Sequence, residues 1–148
     1  MDTAEFINAS GQLNIAVYDA DGQLKDERTI NNLVVTAGLG YIASRMKDAT
    51  ATAMSHMAVG SGSVAPVAGN TALGSELGRV ALDSTGVASN VVTYQATFAA
   101  GTGTGAVTEA GIFNAATAGT MLCRTVFAVV NKGIYDTMVI TWTVTLSG

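Results

Sequence analysis

From Met138 to Leu146 the side chains alternate without a break: Met138, Ile140, Trp142, Val144 and Leu146 fall on one face, Val139, Thr141, Thr143 and Thr145 on the other. A strict period of two is the pattern of a β-strand with one face buried. Moving its pairing by a single residue would turn Trp142 outward and threonines inward, so the register is strongly specified. The run is therefore expected to be a central core strand, and it commits the chain to a sheet.

Other segments repeat the pattern more weakly. Leu13, Ile15 and Val17 alternate with Asn14, Ala16 and Tyr18, and Asp19-Ala20-Asp21-Gly22 then turns the chain into Gln23 to Ile30, which predicts a β-hairpin. The same turn opens like a calcium loop, but its twelfth position is Ile30 where the full pattern wants Glu. Asn31-Asn32 is expected to break the strand. Thr36 is then a plausible N-cap for a helix near residues 36–47, in which Leu39, Ile42, Ala43 and Met46 recur at helical spacing and Arg45 and Lys47 suit the dipole of the last turn. Further strands are expected over Ala53 to Val59, Arg79 to Asp83, Asn90 to Ala99, Val107 to Asn114 and Thr120 to Val130. Ser84-Thr85-Gly86 and Gly101 to Gly105 are read as connections.

Between these halves lies Met57 to Leu82, which holds the only proline. The apolar Met57-Ala58-Val59 runs into Gly60-Ser61-Gly62-Ser63, and after Pro66 the residues Asn70 or Thr71 could cap a short helix through Leu73, Glu76 and Leu77, ended by Gly78. The expected product is a long ordered surface loop. Such loops are usually functional, so Gly60, Ser61, Gly62, Ser63, Val64, Pro66 and Asn70 form the candidate interaction loop. Met1 to Ser10 reads as an N-terminal arm with Phe6 and Ile7 as its anchor, leaving 11–148 as one domain.

A chain of 148 residues is long enough for a single core. With about eight short, mostly antiparallel strands, Gly-rich turns and one helix, the expectation is a mainly β antiparallel β-sandwich, jelly-roll-like or a related Greek key. Only 12% of the residues are charged and 49% are hydrophobic, which leaves few gatekeepers against edge pairing and favours an assembled state, a dimer or a trimer. Seven Lys and Arg against a net charge of −4 form no basic patch for nucleic acid. No run approaches 18 apolar residues, and MDTAEFINAS has neither a basic n-region nor an apolar h-region, so neither membrane insertion nor export is expected.

Motifs that could carry chemistry are weak. His56 is the only histidine, so it has no visible metal partner and no nucleophile elbow to serve. Cys123 is the only cysteine, which excludes an intrachain disulfide, and without a neighbouring His, Lys or second Cys it reads as a small hydrophobe. Gly38-Leu39-Gly40-Tyr41-Ile42-Ala43 has the spacing of a dinucleotide loop, yet Ala58 to Gly60 offers no acid some 20 residues on and no βαβ units follow. Arg124 could pair with Glu109 across neighbouring strands; an exposed pair would be worth about 0.2–1 kcal/mol. No catalytic, cofactor-binding or metal residues are assigned.

Four stretches carry a resemblance: INNLVVTAGLGYIASRMKD, MSHMAVGSGSVAPVAGNTALGSELGRVAL, TEAGIFNAATAGTMLCRTVF and VITWTVTLS. Their order is similar to that in a group of small structural proteins of tailed bacteriophages, over roughly residues 30 to 147 and most specifically from Ala58 to Arg79 and at TEAGIF. The group's members are often assigned only as virion proteins, so the resemblance implies a particle component more firmly than a place in the particle. The expectation that follows is a non-enzymatic virion protein made in the host cytoplasm. It would act as a capsid decoration or cement protein whose partner is the major capsid protein, contacted through the central loop and the arm. The alternative is a tail, baseplate or fibre component, although no fibrous repeat or coiled coil appears. A carbohydrate-binding receptor module ranks below both, because Trp142 sits on the core face and Tyr18, Tyr41, Tyr94 and Tyr135 are scattered.

Overall fold

The computed structural model describes residues 6–148. Nine strands and one helix follow in order: β1 (Asn8–Tyr18), β2 (Leu24–Val34), α1 (Thr36–Lys47), β3 (His56–Gly60), β4 (Glu76–Ala81), β5 (Ser84–Ala88), β6 (Val91–Phe98), β7 (Gly105–Phe113), β8 (Met121–Lys132) and β9 (Thr137–Ser147). All pairings are antiparallel, and they join every strand into one sheet of order β4-β3-β7-β8-β2-β1-β9-β6-β5.

The expected β-sandwich is therefore incorrect: a single sheet curls on itself into a half-barrel. Alternation along a strand says which side chains are buried but not what buries them. Two stacked sheets and one curled sheet place the same apolar face inward. The seam that decides the matter is a short ladder between β2 and β8, where Leu33 lies opposite Arg124 and Val34 opposite Cys123. Beyond it the strands diverge, and the Arg28 guanidinium bridges them by donating to the carbonyls of Ala128 and Val129, both at 2.9 Å.

β9 is central, as its pattern requires. Trp142 lies between Leu13 and Tyr94, Ile140 between Ile15 and Ala96, and Met138 between Val17 and Phe98. These rows line the concave face and are almost wholly buried. An aromatic side chain of this size removes about 150–250 Å² from water, so Trp142 alone contributes about 4–6 kcal/mol of transfer free energy. Its indole N–H donates to Asn32 Oδ1 at 2.9 Å. Asn31 and Asn32 do not break β2; the Asn32 side chain lies over Gly11, where any Cβ would collide with it.

α1 closes one mouth of the curl. It starts after Val35 without a side-chain cap, so Thr36 is the first helical residue and not the N-cap. Tyr41 and Ile42 pack on the core, and Gly38 lets the helix rest directly on the Leu122 carbonyl. In the β1–β2 turn, Asp19 Oδ1 accepts the N–H groups of Asp21 and Gln23 at 2.9 and 3.0 Å, and Gly22 takes the positive φ the reversal needs. Asn8, Ala9 and Ser10, read as part of the arm, pair with Ser147, Leu146 and Thr145 on β9. Of the rest of that arm, Phe6 and Ile7 are exposed and residues 1–5 lie outside the described residues.

Ser84-Thr85-Gly86, expected to be a turn, instead opens β5. It is a ninth strand whose five residues are all exposed, so no burial pattern marks it in the sequence. Only Leu82 and Asp83 separate it from β4, yet the two stand at opposite ends of the sheet order. The Leu82 N–H still reaches Ser55 on the β3 side, whereas the Asp83 N–H reaches Gln95 on β6. One stretch of chain thus passes from one margin of the curl to the other.

Candidate functional site

The loop from Ser61 to Ser75 crosses the convex side of β3, β7 and β8. It contains no helix: Asn70 and Thr71 cap nothing, and Glu76 and Leu77 already belong to β4. Its anchor is a carboxylate from the sheet beneath. Glu109 on β7 is fully buried, and its Oε2 accepts the N–H groups of Gly62 and Ser75, both at 2.7 Å. Its Oε1 accepts the Gly74 N–H at 2.8 Å and two guanidinium N–H groups of Arg124 on β8, at 3.0 and 3.1 Å. Both ends of the loop are thereby tied to one side chain. Gly62 is close enough to the carboxylate that a Cβ there would collide with it.

Arg124 carries the connection to the middle of the loop. Its third nitrogen donates to Asn70 Oδ1 at 3.0 Å, and the same oxygen accepts the Val67 N–H at 2.9 Å. The Thr108 hydroxyl donates to the Gly62 carbonyl at 2.8 Å, and the Thr36 N–H to the Ala68 carbonyl at 2.8 Å. Burial pushes the Glu109 carboxyl up, but the N–H groups of Ser75 and Gly74, the Arg124 guanidinium and the Gly62 N–H outweigh it and hold the group below the usual carboxylate range. It stays ionised at neutral pH.

The sequence suggested the Glu109–Arg124 pair, and its setting is the reverse of the exposed one that would contribute little. A single charge on a mostly apolar strand was the available signal, because such a charge, if buried, is tolerated only when paired and hydrogen-bonded. The part played by Gly74, Ser75 and Asn70 had no such signal. Nor did that of Arg79, whose guanidinium lies 3.8 Å from the Phe113 ring centroid and donates to the carbonyls of Ala115 and Ala118.

Of the expected interaction loop, Gly60 is buried at the end of β3, Gly62 and Asn70 are half-buried in the anchor, and Ser61 and Ser63 are exposed. Between the anchored ends, Val64, Ala65, Val67 and Ala68 ride outward around a half-buried Pro66, with Val64 78% and Val67 57% exposed. Phe6 and Ile7 are also exposed, but they lead into β1 beside the C-terminal end of β9, apart from the loop. His56 is half-buried, with Nδ1 2.8 Å from the hydroxyl of its neighbour Ser55. Cys123 is buried, and burial pushes its thiol well up. Among the described residues no three His, Cys, Asp or Glu side chains gather into a metal-holding group, and no helix is long and apolar enough to cross a membrane.

The chain matches no family model, no curated protein and no solved structure.

Proposed function

We propose that this protein is a structural component of a bacteriophage particle, a decoration or cement protein that seats the loop tip Val64 to Ala68 on the major capsid protein. One observation carries the reading. An exposed apolar tip is held by a buried ionic anchor, so the contact surface is formed before binding. Ordering a loop on association costs about 0.5–1.5 kcal/mol for each immobilised side chain, and a pre-formed loop avoids most of it. The resemblance of the four stretches, strongest over Ala58 to Arg79, includes this loop. The mechanism is mechanical: many weak apolar contacts, repeated over a symmetric shell, add up without chemical turnover.

The test is the copy number of the chain per purified particle, measured by mass spectrometry against the major capsid protein, together with binding of V64D/V67D protein to shells that lack it. Copies on the order of hundreds, and loss of binding by the variant with its fold intact, support the reading. On the order of ten copies would place the protein at the tail or baseplate instead, and undiminished binding by the variant would remove the loop from the contact.

A further inference from the structure

The two margins of the sheet are not alike. At β4 the turn over residues 101–105 packs against Gly78 and Leu77, and Glu76 and Arg79 place charges on the strand. Among the described residues β5 has no such cover. Ser84-Thr85-Gly86-Val87-Ala88 is exposed throughout and carries neither charge nor proline, the usual protections of a free edge.

The ladder fixes which groups are free. The Leu146 N–H donates to the Asn90 carbonyl at 2.9 Å, in register with the β9–β6 pairs. Backbone groups alternate in direction along an antiparallel strand, so the even-numbered residues of β6 bond β9 and Val91, Thr93 and Gln95 bond β5. Their partners are Ala88, Gly86 and Ser84. The N–H and C=O groups of Thr85 and Val87 therefore point away from the sheet.

This set is complementary to itself. A two-fold axis at Gly86 places Thr85 opposite Val87 of a second copy, and Val87 opposite its Thr85, each pair exchanging two hydrogen bonds. The side chains of Thr85 and Val87 lie on the concave side with their ladder partners Tyr94 and Val92, and line an open cleft of about 320 Å³ with Tyr41 and Met54. An added strand would roof that cleft and cover Val87, which is 74% exposed. No like charges would meet across the junction.

We infer that β5 is a homodimerisation edge, at which two copies join their sheets by antiparallel β5–β5 pairing centred on Gly86. The inference stands on the edge itself and holds wherever in a particle the protein sits.

Gly86→Cys tests it in the full chain. Residues facing each other at the centre of such a pairing have Cα atoms about 4.5 Å apart, within disulfide reach. A Cβ at Gly86 meets nothing within 4 Å, and the native Cys123 is fully buried, so the variant should fold and present one reactive thiol. Mild oxidation is expected to yield a covalent dimer. Ser84→Cys is expected to yield none, because its thiols would be separated by about 13 Å along the strands. Sedimentation of the native chain should show a dimer fraction that rises with concentration, and V87K should remain monomeric with unchanged circular dichroism. A native chain that stays monomeric at about 100 µM while G86C fails to cross-link overturns the inference. So does a dimer that V87K leaves intact, which would place the interface elsewhere.

Discussion

Glu109→Gln keeps the shape of the side chain and removes its charge. In the native protein the carboxylate accepts five hydrogen bonds, three from loop N–H groups and two from Arg124, at a site closed to solvent. An amide presents one accepting oxygen, so its NH2 must face groups that are themselves donors, and Arg124 becomes an unpaired buried cation. Breaking a buried pair on one side costs about 3–5 kcal/mol. For a domain of this length each kcal/mol lowers Tm by about 2–4 °C, so the expected fall is about 6–20 °C. Thermal unfolding followed by circular dichroism gives the shift, and limited proteolysis between Ser61 and Ser75 reports whether the loop has come free. The double variant E109M/R124M separates two explanations. If the charges mattered only to each other, apolar replacement of both would restore most of the stability. Because the carboxylate also satisfies Gly62, Gly74 and Ser75, the double variant is expected to stay destabilised and cleavable. A Tm within about 2 °C of native for E109Q, with the loop still resistant, would refute the claim that this side chain holds the loop.

Two further outcomes follow from the same structure. Glu109 titrates below its usual 4.5, so its contribution to stability is complete above about that pH and is lost as pH falls through the lowered value of the folded state. The stability gap between native protein and E109Q, measured by urea unfolding, should therefore narrow as pH drops below about 4.5, and a gap independent of pH would contradict the assignment. The helical glycines should respond with opposite signs: Gly38→Ala drives a methyl into the Leu122 carbonyl and should destabilise by about 1–3 kcal/mol, whereas Gly40→Ala enters open space and should stabilise by up to about 1 kcal/mol, both read from Tm.

The strands with one buried face were legible from alternation alone. Met138 to Leu146 emerged as the central strand because every second side chain is apolar and the intervening positions are mostly threonine, and β1 and β6 followed for the same reason, whereas the first five residues of β8 are buried on both faces. The extent of the helix near residues 36–47 was legible but its packed face was not, since Leu39, Ala43 and Met46 are exposed while Gly38, Tyr41 and Ile42 meet the sheet; the central stretch showed through its glycines and its one proline. β5 was hidden because no face of it is buried, and β4 looked helical in part because Leu73, Glu76 and Leu77 have helical spacing.

Local periods and backbone preferences were enough to set which face of β1, β6 and β9 turns inward, that one helix interrupts the strands, and that a long loop divides the chain. The tertiary structure alone decided that the strands form one curled sheet, that Glu109 gathers both ends of the loop, and that β5 is left as a bare edge. Each of these depends on contacts between residues far apart in the chain: Leu33 with Arg124, Glu109 with Gly62 and Gly74, and Thr93 with Thr143, the β6–β9 pairing that leaves β5 outermost. Alternation sets the face of a strand, but the strand's neighbour is chosen by the fit of whole faces and by the need to satisfy buried charge, and neither is a property of any single segment.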